Sequence, residues 1–499
     1  MYTYQDLVDV GENEQDRINF VWLCIGQHKS TKEFKTAEIA EQYDKQQNTT
    51  IVNYQKTIVD IMGRIVPDYY SPSYKMCSNF YNRLTTQRVQ YSLSNGVKWT
   101  GVTVSVPEGT PGATRKIVWD NAENGEYHYE WQLSAPTGIE EKLGEDFDTQ
   151  LQKLCKAGID GGTSFGFWNY DHMEVFKITE FAPLYDEENG SLRAGVRWVR
   201  IADKPLRATL YEEDGYTEYI WNERVENGKK ITEGHIYRPK RAYTQKISVS
   251  GIDKGTIYNG ENYPTFPIVP FFANFHKQSA IVGMRQSIDC YDMIKNQYAN
   301  DVDNALFYWV LKGAAGFDNK EASDFIYKLK QSRVVNLNTD QEVESITVNP
   351  QVEGRERILD RIEKDIYKDF NALDIDQIKA GAVTATQIKA AYEALDTAAN
   401  QFEYQIIDFL FRFCKVFGIY DTPTFTRSIL VNTSEMIQTT IQAAQFLTED
   451  YVTTKILEFL GDGDKAEYIL NQKTADEMSR FIPKDETEEN EIEEPQIEK

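Results

Sequence analysis

The sequence predicts an α+β chain, and three patterns carry that prediction. Stretches with apolar residues three and four apart dominate the first ninety or so residues and the last third of the chain. Between 97 and 275, aromatic and β-branched runs alternate with Asn-Gly and Asp-Gly pairs, which favour tight antiparallel hairpins. Near the end of the chain one apolar seam keeps a 3.5-residue period for about 29 residues, the mark of a long helix lying along other helices.

Composition bounds the rest. At 499 residues the chain has room for roughly two to four domains. Hydrophobic residues at 41% and charged residues at 26% describe a globular rather than a disordered polymer. The 30 Tyr and 25 Phe supply large buried area and suit protein–protein contacts. The formal net charge of -24 argues against tight wrapping of nucleic acid, which depends on Lys and Arg displacing counterions. It is compatible with a surface past which DNA slides. Cys24, Cys77, Cys155, Cys290 and Cys414 are scattered, with neither C-x-x-C nor zinc spacing, as expected in a reducing compartment. MYTYQDLVDVGENEQ lacks the basic and apolar regions of a signal peptide. IIDFLFRFCKVFGI is interrupted by Asp408, Arg412 and Lys415 and is too short to span a bilayer. These features predict a soluble intracellular product.

Residues 1 to about 90 read as mostly helical. AEIAEQYDKQQNTTIVNYQKTIVDIMGR carries apolar residues at helical intervals, Pro67 and Pro72 interrupt, and SNFYNRLTTQRVQYSLSNG reads as helix or strand ending at Asn95-Gly96. The segment 97–275 reads as an antiparallel β module. Its turns are expected at Asn124-Gly125, Asn189-Gly190, Asp214-Gly215, Asn227-Gly228 and Asn259-Gly260, and one helix is inserted at 145–158. After Pro264, Pro267 and Pro270, residues 279–306 form a single helix, roughly 40 Å long at 1.5 Å per residue. Residues 307–349 read as strand, short helix, strand.

Pro350 opens a charged helix that runs to Phe370, with Arg355, Glu356, Arg357, Asp360, Arg361 and Glu363 alternating in sign. That pattern serves an exposed helix laced with i,i+4 pairs and equally a helix packed against its own copy in another subunit. Thr384 and Gln387 fit a capping box. They open the seam Ile388, Tyr392, Leu395, Ala399, Phe402, Ile406, Phe409, Phe413 and Val416, which Gly418 ends. TFTRSILV is strand-like, and a further helical stretch runs from SEMIQTTIQAAQFL to about Leu470. Residues 485–499 carry eight acids and one Lys and are expected to be a solvated, disordered tail.

Candidate chemistry is sparse. Gly162-Thr163-Ser164-Phe165-Gly166 matches G-x-S-x-G, but the nucleophile elbow needs strand, turn, helix, and here the helix precedes and the strand follows. A glycine-rich helix–strand turn is the expected reading, and a nucleophilic Ser164 is the minor alternative. The five histidines show no H-x-x-x-H or H-E-x-x-H spacing, and Asp171-His172, placed on a strand, would point to opposite faces. No Walker-type G-x-x-x-x-G-K-[ST] occurs. No catalytic residue, metal site or cofactor is expected. Glu187-Glu188 reads as a solvated hairpin turn.

The order of these segments resembles the portal proteins of tailed bacteriophages with long non-contractile tails. EQYDKQQNTTIV is similar to the family's "tyrosine, Asp-Gly-Lys/Gln, polar, aliphatic" segment, with Lys45 where Gly is common. SNFYNRLTTQRVQYSLSNG resembles its "Asn-Phe … Tyr-Leu … Gly" segment, and AGIDGGTSFGFWNYDHMEVFKITEFAPLYDEENGSLRAGVRWVRI its β stretch. FPIVPFFANFHKQSAIVGMRQSIDCYDMIKNQYANDVDNA matches best, down to Ile288-Asp289 and Tyr291-Asp292. VTATQIKAAYEAL resembles "Thr-Ala-Thr-Glu-Ile", with Gln387 for the usual Glu, and LTEDYVTTKILEFLGDGDKAEYIL resembles the C-terminal segment.

The resemblance implies a portal-like α+β fold: long stem and wing helices, an antiparallel β-rich wing module, a small α/β clip and a helical crown. It implies a homo-oligomeric ring of about twelve subunits at one capsid vertex of the virion, assembled in the host cytoplasm. Double-stranded DNA passes through the ring without sequence recognition during packaging and ejection. The implied partners are the terminase large subunit, a head–tail connector or adaptor, and the major capsid and scaffolding proteins, with no membrane. Carried onto this chain, 1–275 is wing, 279–306 and 350–373 are stem helices, 307–349 is clip, 384–418 is the long wing helix and 419–484 is crown.

Residues 374–383 would be the tunnel loop, with Gln377, Ile378, Lys379, Ala380, Gly381, Ala382 and Val383 nearest the DNA. Gly381 between alanines gives backbone freedom, and Lys379 offers a phosphate contact that carries no sequence information. An ordinary helix–helix turn is the plain alternative for the loop. For the whole chain the alternatives are another viral assembly protein without DNA transit, or a hydrolase using Ser164.

Overall fold

Burying the apolar stripes on these helices requires sheets and partner helices, and the computed structural model shows which ones. It describes residues 2–59, 63–69, 71–107, 114–121, 126–135, 137–226, 229–248, 257–304, 307–312, 342–347, 352–374, 385–427, 433–460 and 469–470. The chain divides into two compact units, one of residues 1–374 with 393–428, the other of 375–392 with 429–499.

In the first unit, helices α1 (Tyr4–Val10), α2 (Glu14–Ser30) and α3 (Lys32–Asp44) open the chain. Each start is capped. Thr3 and Asp6 form a reciprocal capping box, Asn13 Oδ1 accepts from the amides of Gln15 and Asp16, and Thr31 Oγ1 accepts from Phe34 N, which satisfies amides that have no helical partner. A short helix α4 (Thr49–Val52) follows, then strands β1 (Thr57–Val59) and β2 (Ile65–Pro67), then α5 (Phe80–Leu93). The helical spacing read through to Arg64 is therefore corrected. Thr57-Ile58-Val59 and Ile65-Val66-Pro67 are mostly β-branched and pair antiparallel, Thr57 with Pro67 and Val59 with Ile65.

The β module is present and antiparallel throughout. β3 (Val97–Thr100) pairs with β19 (Thr422–Phe425); β4 (Val102–Val106), β5 (Thr114–Asn121) and β6 (Glu126–Ala135) form a sheet of order β4-β6-β5. Helices α6 (Ile139–Leu143) and α7 (Phe147–Gly161) interrupt. Then β7 (Thr163–Asn169), β8 (His172–Lys177) and β16 (Ile268–Phe272) form β16-β7-β8. Strands β9 (Phe181–Tyr185), β10 (Leu192–Val199), β11 (Leu206–Glu212), β12 (Gly215–Glu226) and β13 (Lys229–Arg241) form a five-stranded meander in sequence order.

The turn at Asn189-Gly190 falls where expected, between β9 and β10, and the one at Asp214-Gly215 joins β11 to β12, with Asp214 in the turn and Gly215 opening β12 opposite Glu212. Asn259-Gly260 does not fall in a turn: both residues lie inside β15 (Ile257–Glu261), opposite Lys246 and Gln245 of β14 (Thr244–Ser248). The ladder they join outweighs their local turn preference. Asn124-Gly125 and Asn227-Gly228 lie outside the described residues. Pro270 sits on β16, the edge of its sheet, where a missing N–H is tolerated.

Helix α8 (Ile281–Asn304) is the expected long helix. β17 (Phe307–Lys312) pairs with β18 (Glu342–Thr347); the helix expected between them lies outside the described residues. α9 (Val352–Asp369) packs on α8. Its i,i+4 pairs Arg357–Glu353 and Arg361–Asp365, both at 3.9 Å, are strongly exposed, while Arg355 reaches Asp301 of α8 at 2.6 Å. On its inner side, Ile366 and Tyr367, with Phe370 just beyond its end, join Tyr43, Tyr81, Leu84, Ile281, Met284 and Ile288 in one core cluster.

Helix α10 (Ala385–Cys414) begins in the second unit and continues into the first. Along the seam, Tyr392, Leu395, Ala399, Phe402, Ile406, Phe409, Phe413 and Val416 are all buried. Phe409 lies over β7 where Gly166 has no side chain, and a Cβ there would stand 2.7 Å from its ring. β7 itself is buried on both faces, which explains its continuous small and aromatic run. In the second unit, α11 (Thr433–Ala443) and α12 (Glu449–Leu460) pack on each other, separated by a single 3₁₀ turn, Ala444–Phe446. Thr384 and the tail 485–499 lie outside the described residues.

Candidate functional site

The expected loop residues Gln377, Ile378, Lys379, Ala380, Gly381, Ala382 and Val383 lie outside the described residues, but the chain leading into the loop, to Asp374, and the helix that follows it, from Ala385, are described. One face of α5 contacts both. Gln87 makes two hydrogen bonds to the backbone of Leu373: its Nε2 donates to the carbonyl and its Oε1 accepts from the amide, each at 3.0 Å. The neighbouring Arg88 donates to the carbonyl of Phe370 at 2.6 Å and lays its guanidinium 3.9 Å from the centre of the Phe370 ring. Burial lowers the Arg88 pKa to about 10. Between these anchors Asn371 takes φ 53°, a left-handed turn that Asn tolerates. α9 therefore ends sharply, and the chain is directed into residue 374.

The body of α10 is held one turn along the same helix. Tyr91 donates to Asp396 of α10 at 2.7 Å. Arg427 donates to Asp396 at 2.8 Å and makes a fork to Glu403, Nε–Oε1 at 2.9 Å and Nη2–Oε2 at 2.7 Å. Such a two-pronged pair fixes orientation as well as distance, and the Glu403 hydrogen bond raises the Arg427 pKa further. Gln87, Arg88 and Tyr91 thus link the end of α9 to the body of α10 through one rigid helix. None of these three was singled out by sequence reading. Their signal, polar side chains on one face of a helix with buried neighbours, is common on surface helices.

A second polar construction explains the aspartates of the best-matching segment. Asp292, Asn296 and Asn300 stand four apart on α8 and hold the backbone of an extended segment. Ser78 N donates to Asp292 Oδ1 at 3.0 Å, Met76 N to Asn296 Oδ1 at 2.7 Å, and Tyr74 N to Asn300 Oδ1 at 2.8 Å. Asp292 is fully buried and also accepts from the Asn48 side chain; burial raises its pKa. Asp289 accepts from Thr50 Oγ1 at 2.7 Å and Tyr43 Oη at 2.5 Å. Ile288 is buried, and Tyr291 meets Phe80 edge to face at 4.9 Å. The repeat Asp-x-x-x-Asn-x-x-x-Asn was the legible sign of this ladder, and sequence reading passed over it.

Ser164 is fully buried in β7 and donates to the carbonyl of Leu154 at 2.7 Å, so its hydroxyl is neither exposed nor paired with a base. The Asp171-His172 expectation is corrected. Asp171 sits in the turn before β8, and its carboxylate meets His172 Nδ1 at 2.7 Å, because a turn, unlike a strand, lets neighbours face each other. Among the described residues no group of three or more His, Cys, Asp or Glu side chains could hold a metal ion. No described helix is long and apolar enough to cross a membrane.

A family model described as "Phage portal protein, SPP1 Gp6-like" matches residues 27–479. The portal protein of Bacillus phage SPP1 is 26% identical over 343 residues, covering 61% of this chain and 62% of that protein. The portal protein of Clostridium phage phiCD119 is 25% identical over 186 residues, covering 35% of this chain and 41% of that protein. The chain therefore aligns with less than two thirds of the length of either relative. Among solved structures, a chain from the neck of a native gene transfer agent particle computed with C12 symmetry covers 63% of this chain and 81% of its own length, at 12% identity and a TM-score of 0.33.

Proposed function

The chain belongs to the SPP1 Gp6-like family of phage portal proteins, and from that premise we propose that it forms a ring-shaped channel at one capsid vertex, through which double-stranded DNA enters and leaves. The observation that carries the proposal is the family match, which extends over residues 27–479. In this reading the protein is structural rather than enzymatic, and the ring holds about twelve copies. Its partners are the terminase large subunit during packaging, the head–tail connector or adaptor afterwards, and the major capsid and scaffolding proteins around it. The wing, stem, clip, long wing helix and crown take the boundaries expected from the sequence, and the protein resides in the virion after assembly in the host cytoplasm.

Residues 374–383 are the tunnel loop of this proposal. What supports them is the geometry at the incoming end: a loop that must touch moving DNA at a set radius needs a rigid start, and Gln87 and Arg88 of α5 fix Leu373 and Phe370 just before it. The charge of -24 favours a mostly repulsive surface along which DNA slides without stalling.

The first test is electron microscopy of the purified full chain. Rings of about twelve with an open centre wide enough for duplex DNA support the proposal. Monomers that stay monomeric with capsid and scaffolding proteins present overturn it. The loop assignment is tested separately by Gly381→Val and by deletion of 377–383: rings should persist while packaged DNA falls. Normal packaging by both variants would remove the loop from the proposal.

A further inference from the structure

We propose that the hairpin of β1 and β2, with the segment that follows it to Met76, is a contact surface for a second copy of this chain. The inference rests on the ring reading above. Among the described residues β1 and β2 pair only with each other, so neither outer edge has a described strand partner, and an isolated two-stranded ribbon is marginal in water. Val59 and Ile65, directly opposite in the register, are 68% and 75% exposed, and Tyr69 is 78% exposed. Ile58, Tyr74 and Met76 add further exposed apolar surface. No residue of either strand carries a charge.

The base of this ribbon is held firmly. Asp68 N donates to Lys56 O at 2.9 Å and Ser71 N to Asp68 Oδ1 at 3.0 Å, Lys75 Nζ reaches Val52 O at 2.7 Å, and the α8 ladder fixes residues 74, 76 and 78. The ribbon is therefore presented outward from an anchored base.

Area and charge select the occupant. With roughly 150–200 Å² per large side chain, the six exposed residues offer on the order of 600 Å². That is at the upper limit of what a monomer leaves uncovered and close to the roughly 800 Å² per side of a stable protein interface. Copies that each carry -24 repel one another, so a contact between them must be apolar, and uncharged strands meet that requirement. Salt screens the repulsion without weakening apolar burial, so association through this surface strengthens with salt, whereas an ion-paired contact weakens.

The test uses the full chain and a Val59→Glu/Ile65→Glu double variant, compared by light scattering after size exclusion at 50 and 500 mM NaCl (approximate working values around the Debye regime). Wild type is expected as an oligomer whose fraction rises with salt; the variant is expected as monomer with unchanged circular dichroism. Should the glutamates disturb the fold, Val59→Ser/Ile65→Ser gives the same readout. Trypsin cleavage after Arg64 is expected to be slowed at least tenfold in the oligomer. Wild-type-like rings from a folded variant, equal cleavage in ring and monomer, or rings that dissolve as salt rises each overturn the inference while leaving the ring reading intact. A wild type that never assembles overturns both.

Discussion

Gln87 reads the backbone of Leu373 from both sides, donating to its carbonyl and accepting from its amide at 3.0 Å each. A single amide side chain here does what a neighbouring strand would do, one residue before Asp374. Replacing Gln87 with Leu keeps the side chain's bulk and removes both bonds. Two partly buried backbone groups then lose their partners, at about 1–3 kcal/mol in all. A lower thermal unfolding midpoint with ring assembly retained is the expected result, and packaged DNA should fall with it, because the loop root is no longer fixed. Differential scanning fluorimetry and a packaging assay on the same variant check the two halves independently.

Asp292 gives the second prediction. Its oxygens accept from Ser78 N and from the Asn48 amide. Asp292→Asn places a second NH₂ group among these donors, while Asp292→Ala leaves them without an acceptor. Either change should cost about 2–4 kcal/mol, read as a shift of the urea midpoint. Proteolysis within 71–79 should accelerate, since the segment loses its rung at Ser78.

Gly162-x-Ser164 separates fold from catalysis. Ser164→Ala removes one buried hydrogen bond and should cost about 1 kcal/mol without loss of any channel function. Gly162→Ala should be worse, by more than about 2 kcal/mol. Gly162 has φ 78°, and a Cβ there would lie 2.4 Å from the carbonyl oxygen of Lys277. Thermal melts of the two variants side by side give the order; a hydrolytic activity abolished by Ser164→Ala would refute the structural role.

The Asp160 carboxyl should make stability depend on pH. Burial pushes its pKa from 3.8 up to about 6, against the pull of Lys156, while Asp44 and Glu41 push it further up and the Tyr81 hydroxyl, donating at 3.0 Å, holds it down. A folded-state pKa above the unfolded one means that the folded chain binds the extra proton between about pH 4 and 6. The stability that proton contributes is lost as pH rises through about 6. Asp160→Asn has no such proton to lose. The difference in unfolding free energy, variant minus wild type, is expected to grow between about pH 4 and pH 6, by up to about 1.4 kcal/mol per pH unit, and to level off above that. A flat difference across that range would show that Lys156 keeps the carboxylate charged throughout.

The legible parts of this chain were those where one force acts over many residues. The α10 seam was readable because each four-three step from Tyr392 to Val416 places another side chain in the core. The meander was readable because its turns are set by local backbone preference at Asn189-Gly190 and Asp214-Gly215. Reading failed where partners are remote. The stretch from Thr57 to Arg64 looked helical because short apolar spacing fits both periods, and only the pairing of Val59 with Ile65 decides between them. Asn259-Gly260 looked like a turn until the ladder to Lys246 claimed it. At the candidate site, the loop's composition was visible in sequence, but the clamp was not. Gln87 and Leu373 are 286 positions apart, and nothing in either segment announces the other.

The α8 ladder also acts as a vernier. Four residues of helix advance about 6.0 Å and two residues of extended chain about 6.6 Å, so the two scales agree over a few divisions and then drift apart. Three rungs, at 292, 296 and 300, fall within that agreement. The next division would set Asn304 against Pro72, which has no N–H to offer. Two rulers of unequal pitch can coincide over only one short stretch, so the ladder fixes where the segment lies along the helix, not merely that it lies there. A one-residue deletion between 71 and 78 would have no neighbouring graduation to slip into.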